Sequence, residues 1–352
     1  MRTYSASVVG CGNGGGLSLA AYSDSDRFEL TAACDLDADA LARITKLYPN
    51  VRTFQSHTAM FAESPAEVVS VSTFPPSHAP ITFEALKLPL SGILVEKPLG
   101  DTADAGRRII GAVKERSIPM VVPHSWLERD ISQEIKRRLF EGEIGDLRLM
   151  EVQCREWDIM NAGIHWVHFF LSVIPSQSVR RVMGSTDTTT RTFRDGLQVE
   201  TMGVTYVQME SGVRLVMQTG DDTEVENAQT LFRFYGSAGT LEWNLQESSF
   251  TILNAAHPRK AVVNDPEHDL RSPHRRYVDH LADQMDKHEF DYEIPDLSLT
   301  ALEICEAAYV SALHRCRVDF PFETFEAPPA NDWLPGSPYS GSGGGRDGRA
   351  LR

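Results

Sequence analysis

The sequence has few cysteines, no long apolar run and no excess of positive charge, and each absence excludes a class of protein. Five cysteines occur among 352 residues, and none forms a Cys-x-x-Cys pair, so neither a zinc knuckle nor a disulfide framework is indicated. No apolar run approaches the ~20 residues that span a bilayer. The net charge of -15 argues against nucleic acid or an anionic membrane as a partner, because binding to either needs clustered Lys and Arg.

The composition and length of the chain are typical of a globular protein. The hydrophobic fraction is 41%, and a chain of this length suggests two domains. Scattered, unpaired thiols suit a reducing compartment, and the first residues enter a strand without room for a signal peptide. We therefore expect a cytoplasmic protein. Residues 335–352 are rich in Gly, Ser and Arg and are predicted to form a disordered tail.

Strand-like and helix-like segments alternate over the first third of the chain. Short apolar runs such as Phe28–Cys34 and Val68–Thr73 are of the type that is buried in parallel sheets, and segments with helical spacing lie between them. This α/β alternation predicts a doubly wound parallel sheet over residues 1–123.

The second part of the chain has a different pattern. Longer strand-like segments such as Gly203–Met209 and Val213–Gln218 follow one another through short Gly-containing turns. Over residues 124–330 they predict an α+β domain with an open, mostly antiparallel sheet. Two late helices, predicted over His274–Lys287 and Leu297–Arg315, pack either on the first domain or on one face of this sheet.

A glycine-rich loop follows the first strand and precedes a helix. Gly10, Gly12 and Gly15 match the pattern Gly-x-Gly-x-x-Gly, and Asn13 lies in the same loop. The first glycine allows a tight turn, the second lets backbone N–H groups approach a pyrophosphate, and the third lets the helix pack on the strand. A flexible glycine loop is the alternative, but the strand–turn–helix context favours a Rossmann dinucleotide site.

The end of the second predicted strand favours NAD over NADP. Asp35 stands at the position that usually binds the adenosine ribose. A carboxylate there accepts hydrogen bonds from the 2′-hydroxyl and repels a 2′-phosphate. The next residues, Leu36-Asp37-Ala38, include no arginine that would bind that phosphate. We therefore predict NAD as the cofactor.

Charged residues follow another buried strand directly, in the segment Glu96-Lys97-Pro98. Ligands of open α/β sheets bind at the carboxyl ends of the strands, and the ammonium of Lys97 can stabilise alkoxide charge during hydride loss. The alternative is an ordinary Glu–Lys surface pair. We interpret Lys97 as a catalytic residue.

Five motifs in this order together resemble those of the Gfo/Idh/MocA family, named for glucose–fructose oxidoreductase and inositol dehydrogenase. The five segments are Gly10-x-Gly12-x-x-Gly15, Ser72-Thr73-Phe74-Pro75-Pro76-Ser77-His78, Glu96-Lys97-Pro98, Gly142-Glu143-Ile144-Gly145-Asp146 and Gly236-Ser237-Ala238-Gly239-Thr240-Leu241. The similarity runs from about Ser5 to about Phe325. It implies an NAD-dependent oxidoreductase with a Rossmann domain, a second domain with an open sheet, and dimers or tetramers built through that sheet.

The resemblance also implies which residues surround the cofactor. The Thr-x-Pro segment, with Thr73 and Pro75, is expected to line the nicotinamide pocket, and His78 lies at the end of the same segment. Glu96 and Lys97 are expected beside them, with Lys97 at the reacting hydroxyl.

A predicted helix carries the histidine that resembles the family's catalytic base. The family shows Asp-x-Gly-x-His-x-x-Asp where this sequence has Asn161-Ala162-Gly163-Ile164-His165-Trp166-Val167-His168. His165 would take the hydroxyl proton, although a hydrogen-bonded core histidine is the alternative. Asn161 and His168 replace the acidic residues. An amide cannot accept a proton but can orient a sugar hydroxyl, so we keep Asn161 as a catalytic candidate and predict no metal site.

Four side chains are candidates for binding substrate. His124 and Trp126 follow the last strand of the first domain, Trp157 precedes the histidine helix and His168 lies on it. Arg155 and Asp158 flank Trp157 as further specificity candidates. Trp126 could stack on a sugar face or be a packed aromatic.

The pattern predicts oxidation of a secondary alcohol in a sugar, cyclitol or related polyhydroxy compound. Two alternatives stay open at this point. One is a lyase or glycosidase that holds and recycles NAD, and the other is a regulator that senses the dinucleotide without catalysis.

Overall fold

The structure is a computed structural model that describes residues 2–175, 178–187, 192–221, 223–225, 228–264 and 269–327. The predicted tail over 335–352 and the last residues of the predicted second domain lie outside the described residues.

The elements of the first part of the chain alternate between strand and helix. In order they are β1 Tyr4–Val9, α1 Asn13–Asp24, β2 Phe28–Cys34, α2 Ala38–Leu47, β3 Arg52–Phe54, α3 His57–Glu63, β4 Val68–Val71, α4 His78–Ala85, β5 Gly92–Val95, α5 Ala103–Glu115, β6 Met120–Val121 and α6 Asp130–Phe140.

The second part contains mainly strands, with two long helices at the end. In order its elements are β7 Leu147–Arg155, α7 Ile164–Ser172, β8 Val179–Asp187, β9 Thr192–Arg194, β10 Leu197–Val199, β11 Met202–Met209, β12 Arg214–Gly220, β13 Thr230–Gly236, β14 Gly239–Asn244, β15 Ser249–Asn254, β16 Ala261–Asn264, α8 Pro273–Lys287, α9 Glu293–His314 and β17 Val318–Asp319.

The first sheet is parallel throughout the described residues, in the order β3-β2-β1-β4-β5-β6. Strands β4 and β5 are buried at every position, which explains their mainly apolar sequence. Strand order reverses between β1 and β4, so the loops after these two strands open a crevice at the carboxyl edge. The predicted doubly wound sheet is confirmed.

The second sheet is open and mixed, in the order β16-β15-β14-β13-β7-β12-β11-β8-β17. Its described neighbours pair antiparallel except β7 and β12, which run parallel. The prediction of an open, mostly antiparallel sheet is confirmed. Strands β9 and β10 form a separate hairpin.

Both late helices contact the first domain, and α9 also covers the second sheet. Helix α8 packs on the first domain, where Tyr277 and Leu281 join the same buried cluster as Tyr4 and Val8. Helix α9 lies on the second sheet. A Cβ at Gly184 of β8 would be 2.4 Å from the carbonyl oxygen of Ala308, so glycine is required for this close approach. Among the described helices, none is long and apolar enough to cross a membrane.

Candidate active site

The glycine loop leaves open space at the start of α1. A Cβ at Gly10 would be 2.3 Å from the Ser72 carbonyl oxygen, and one at Gly15 would be 1.8 Å from the Gly10 carbonyl oxygen. A Cβ at Gly12 would meet nothing within 4 Å. Side chains are therefore excluded on the inner side of the loop, while the outer side, with exposed Gly12 and Asn13, is free. A helix N-terminus with room beside it fits the diphosphate of a dinucleotide.

Asp35 is fixed at the edge of this loop. Its Oδ2 atom accepts a 2.6 Å hydrogen bond from the Cys11 backbone N–H, and its Oδ1 atom accepts one of 2.9 Å from the Asp37 backbone N–H. The side chain is nevertheless part-exposed. The carboxylate is thus held rigidly and remains accessible, which fits recognition of a ribose hydroxyl.

Glu96 and Lys97 leave the end of β5 in different directions. The buried Glu96 side chain lies against the loop, because a Cβ at Gly14 would be 3.3 Å from it, and Glu96 Oε1 is 3.3 Å from His274 Nε2. Lys97 Nζ instead donates a 3.0 Å hydrogen bond to the carbonyl oxygen of Asn161. Lys97 therefore reaches the backbone that leads into the histidine helix.

Burial lowers the pKa of Lys97 below its ordinary value, and the carboxylates of Glu96, Asp195 and Asp158 oppose that effect. Three acidic side chains from separate segments thus favour the ammonium form in a poorly solvated place.

A buried carboxylate lies three residues before Asn161 and holds its side chain. Asp158 is fully buried and accepts hydrogen bonds from the backbone N–H groups of Met160 and Asn161 at 2.9 and 2.7 Å. The Asn161 amide donates to both Asp158 oxygens, at 3.1 and 3.0 Å, and Arg194 Nη1 donates at 3.0 Å. Asn161 Oδ1 is buried without a hydrogen-bond partner among the described residues. The amide is therefore held by its nitrogen, with its oxygen left to accept a bond.

The imidazole rings of His124, His165 and His168 form a buried cluster. His124 Nδ1 lies 3.2 Å from His165 Nδ1, and His124 Nε2 lies 2.6 Å from Ser298 Oγ. The rings of His124 and His168 stack, with centroids 4.0 Å apart and an interplanar angle of 20°. The sequence analysis predicted His165 and Lys97 as catalytic partners. It did not predict the contact between His124 and His165.

All three imidazoles are held in their neutral form. Burial lowers the pKa of His165 well below its ordinary value, and the neighbouring Lys97 ammonium and His168 lower it further. Burial likewise lowers the pKa of His124 well below the usual range and that of His168 to about 3. The effect of Lys97 on His165 also shows that the two side chains lie within electrostatic range of each other.

The ring of His78 connects the segment after β4 to Pro98, which follows Lys97. The ring nitrogens of the fully buried His78 lie within hydrogen-bond distance of the carbonyl oxygens of Thr73, at 2.8 Å, and Pro98, at 3.0 Å. Ser77 Oγ donates to Thr73 Oγ1 at 2.7 Å, and Pro75 begins a short 3₁₀ turn. His78 thereby joins two of the segments predicted to surround the cofactor, and its direct contact with the cofactor stays a prediction.

The four predicted substrate residues fall into two groups. Trp126 and Trp157 are 42% and 43% exposed, with the guanidinium of Arg129 5.6 Å above the first ring and that of Arg194 5.7 Å above the second. His124 and His168 are 0% and 3% exposed, and their rings stack on each other. Their assignment as substrate residues stays a prediction, and their burial argues against it.

The β9–β10 hairpin is a part of the site that the sequence analysis did not identify. Its turn contains Asp195 and Gly196, and a Cβ at Gly196 would be 3.4 Å from Phe74 Cβ. The hairpin thus reaches from the second part of the chain to the segment after β4, and brings Arg194 to Asp158. The signal in the sequence was Asp195-Gly196, a pair typical of tight hairpins. Among the described residues, no group of three or more His, Cys, Asp or Glu side chains is placed to hold a metal ion.

Comparison with known proteins connects this architecture to a family. The family model described as "Oxidoreductase family, NAD-binding Rossmann fold" (GFO_IDH_MocA) matches residues 5–124. The N-terminal domain of the chain is thus similar to the Gfo/Idh/MocA oxidoreductases. The predicted resemblance to this family and the NAD-binding Rossmann fold are therefore confirmed over these residues.

Similar proteins with assigned activities are distant from this chain. It is 25% identical over 145 residues to D-apiose dehydrogenase of Paraburkholderia graminis, a match that covers 41% of this chain and 38% of that protein. It is 27% identical over 175 residues to inositol 2-dehydrogenase of Rubrobacter xylanophilus, covering 45% of this chain and 48% of that protein. The matches thus span less than half the length of these two relatives.

A solved structure extends the likeness of fold to nearly the whole chain. A levoglucosan dehydrogenase crystallised with NADH and levoglucosan superimposes with a TM-score of 0.79 and 14% sequence identity. The superposition covers 91% of this chain and 100% of that one. Both sheets of this protein therefore share the fold of that enzyme.

Proposed function

We propose that this protein oxidises a secondary alcohol of a sugar, cyclitol or related polyhydroxy compound with NAD. The observation that carries the proposal is the meeting of Lys97 with the start of the histidine helix, where its Nζ atom binds the Asn161 carbonyl at 3.0 Å and its charge acts on His165. An ammonium and a neutral imidazole in one place are the two groups that alcohol oxidation needs.

Residues of the first sheet are suited to hold the dinucleotide. The start of α1 after Gly12 would hold the diphosphate, and the fixed carboxylate of Asp35 would hold the adenosine ribose. The segment with Thr73 and Pro75 would line the nicotinamide side. When bound, NAD supplies the electrophilic ring that accepts the hydride.

The side chains around the alcohol would divide the remaining work. Lys97 orients the hydroxyl oxygen and stabilises negative charge on it. His165 takes the hydroxyl proton, because its lowered pKa keeps the ring neutral and able to act as a base. Asn161 Oδ1, which lacks a partner among the described residues, can accept a hydrogen bond from a further hydroxyl. The half-exposed rings of Trp126 and Trp157 are available to stack on the apolar face of a sugar.

An activity panel tests the proposal directly. The full chain with NAD is incubated with D-apiose, inositol, levoglucosan and a wider set of aldoses and polyols, and absorbance is followed at the reduced-nicotinamide band. We expect NADH to accumulate with at least one of them. Tight NAD binding without turnover across the panel would contradict the proposal and favour a dinucleotide sensor. Cleavage of a glycoside without net NADH would favour an NAD-recycling lyase or glycosidase.

Asp35 is expected to set the preference for NAD over NADP. The variant Asp35→Asn keeps an acceptor for the Cys11 N–H but removes the charge that repels a 2′-phosphate. Hydrogen bonds to charged groups contribute about 1.5–3 kcal/mol, so we expect the ratio of kcat/KM for NAD to that for NADP to fall by about tenfold or more.

Asp37→Asn is the matched control, because it removes the same charge two residues away, at the exposed N-cap of α2. Its cofactor preference should equal that of the unmodified protein. If both variants changed the preference equally, a general effect of charge would replace recognition by Asp35.

A further inference from the structure

A continuous hydrogen-bonded chain leads from His165 away from the dinucleotide loop into the interior. It runs from His165 on α7 to His124, which follows β6, and ends at Ser298 on α9, with contacts of 3.2 and 2.6 Å. His124 and Ser298 are 0% exposed. Three separate segments of the chain thus contribute to one arrangement that the reaction outlined above does not yet use.

The contact between the two histidines couples their tautomers. A bond between two Nδ1 atoms needs one proton, so one ring donates and the other accepts. If His165 carries its proton on Nδ1, then Nε2 is the nitrogen with a lone pair, and His124 must carry its proton on Nε2 and donate to Ser298 Oγ. If the contact is reversed, His165 carries its proton on Nε2 and cannot act as a base there.

The groups that face His165 make this choice of tautomer important. They are the Lys97 ammonium after β5, His168 on its own helix and His124 after β6. A cation and two neutral rings provide no carboxylate to orient the imidazole, which is the usual device in hydrolytic triads. A neutral acceptor can still orient the ring, provided that its own proton is held elsewhere.

We propose that His124 is a positioning residue that holds His165 in the tautomer with its proton on Nδ1, and that Ser298 holds His124 in the complementary tautomer. The inference rests on the proposed function. When Nε2 of His165 takes the hydroxyl proton, the ring becomes an imidazolium whose Nδ1–H still donates to His124. No other proton on the protein needs to move. The stack with His168 fixes the plane of the His124 ring.

The tautomers can be measured without any substrate. In the full chain labelled with ¹⁵N-histidine, NMR spectra should show His165 protonated on Nδ1 and His124 protonated on Nε2. The signals are assigned by comparison with spectra of His124→Phe and His165→Phe. Observation of His165 protonated on Nε2 would overturn the inference. The expected tautomers together with a complete lack of turnover would refute the proposed function alone.

Kinetics of three variants test the role in turnover. His124→Phe keeps an aromatic ring for the stack but removes the acceptor, and we expect kcat to fall about 10–100-fold, within the range that general base catalysis contributes, with KM for NAD unchanged. His124→Asn can place its Oδ1 atom near the former Nδ1 position and should recover part of that loss. Ser298→Ala frees the tautomer of His124 and should lower kcat by a smaller factor.

Ser311→Ala is the matched control for Ser298→Ala. Ser311 is buried on the same helix and bonds to Gly184 and Cys316, away from the histidines, so kcat should stay at the original value. Thermal unfolding of each variant shows whether it folds. If His124→Phe fails to fold, His124→Asn and Ser298→Ala still test the positioning role of His124. Equal kcat in His124→Asn, Ser298→Ala and the unmodified chain would refute the positioning role.

Discussion

Replacement of Lys97 by methionine is expected to lower kcat for alcohol oxidation by about 10²–10³-fold, the usual effect of removing one donor that stabilises developing negative charge. Methionine keeps the length and the apolar stem of the side chain. It loses the ammonium that binds the Asn161 carbonyl and faces His165. The measurement is steady-state turnover on the best substrate of the panel, together with NAD affinity from a fluorescence titration.

NAD affinity should change by no more than about threefold in this variant, because the predicted diphosphate and ribose contacts lie at Gly12 and Asp35. Lys87→Met is the control. Lys87 lies on the surface in an ion pair with Glu84, where such pairs contribute little, and its turnover should match that of the unmodified chain. Undiminished turnover in Lys97→Met would remove Lys97 from the mechanism.

The second large effect is loss of stability in mild acid. The pKa values of His124, His165 and His168 are all lowered by burial. In the unfolded chain these rings take up protons near pH 6.5, whereas in the folded protein they stay neutral. The unfolded state therefore binds more protons than the folded state below pH 6.5. Stability is complete above that value and falls as the pH drops toward the folded pKa values.

The size of this effect follows from linkage. Each ring that stays neutral costs about 2 kcal/mol of folding free energy at pH 5, since one pH unit corresponds to about 1.4 kcal/mol. Three rings together would use up a large part of the 5–15 kcal/mol that is typical of folded proteins. We expect the denaturant midpoint to change little between pH 8 and 7 and to fall steeply between pH 6.5 and 5.

A single substitution separates these rings from other acid effects. His168→Phe keeps the stack on His124 but cannot be protonated, so its stability should depend less steeply on pH than that of the unmodified chain. His257→Phe replaces an exposed histidine and should leave the pH dependence as it was. If the two variants behaved alike, the buried cluster would not be the origin of the acid sensitivity.

The sequence predicted those parts of the site that depend on neighbours in the chain. The loop from Gly10 to Gly15 and the acid at Asp35 have fixed spacing relative to two strands, and Glu96-Lys97 follows a strand directly. Because parallel strands end at one edge of a sheet, these residues could be assigned to a common crevice from the strand pattern alone. The two architectures were predictable for the same reason, since period and turn chemistry are local signals.

The remaining parts of the site depend on contacts between distant segments. His124 and His165 are 41 residues apart, and Ser298 comes from a helix much later in the chain. Asp158 was noticed only as a specificity candidate, although its carboxylate holds the Asn161 amide. No spacing rule brings such residues together, because their proximity results from how α7 and α9 pack. The parallel pairing of β7 with β12 could not be predicted either, because hairpin turns indicate only which consecutive strands pair.

Helix α8 is synthesised late, but it completes the core of the first domain. Tyr277 and Leu281 complete the apolar core that begins with Tyr4 and Val8, and His274 joins the same region through Ser18 and Ser125. A ribosome therefore releases the nucleotide-binding domain long before the helix that covers it. A chimera that exchanges this domain between relatives must carry its late helix as well, and a fragment ending near residue 123 would leave the face that α8 covers open to water.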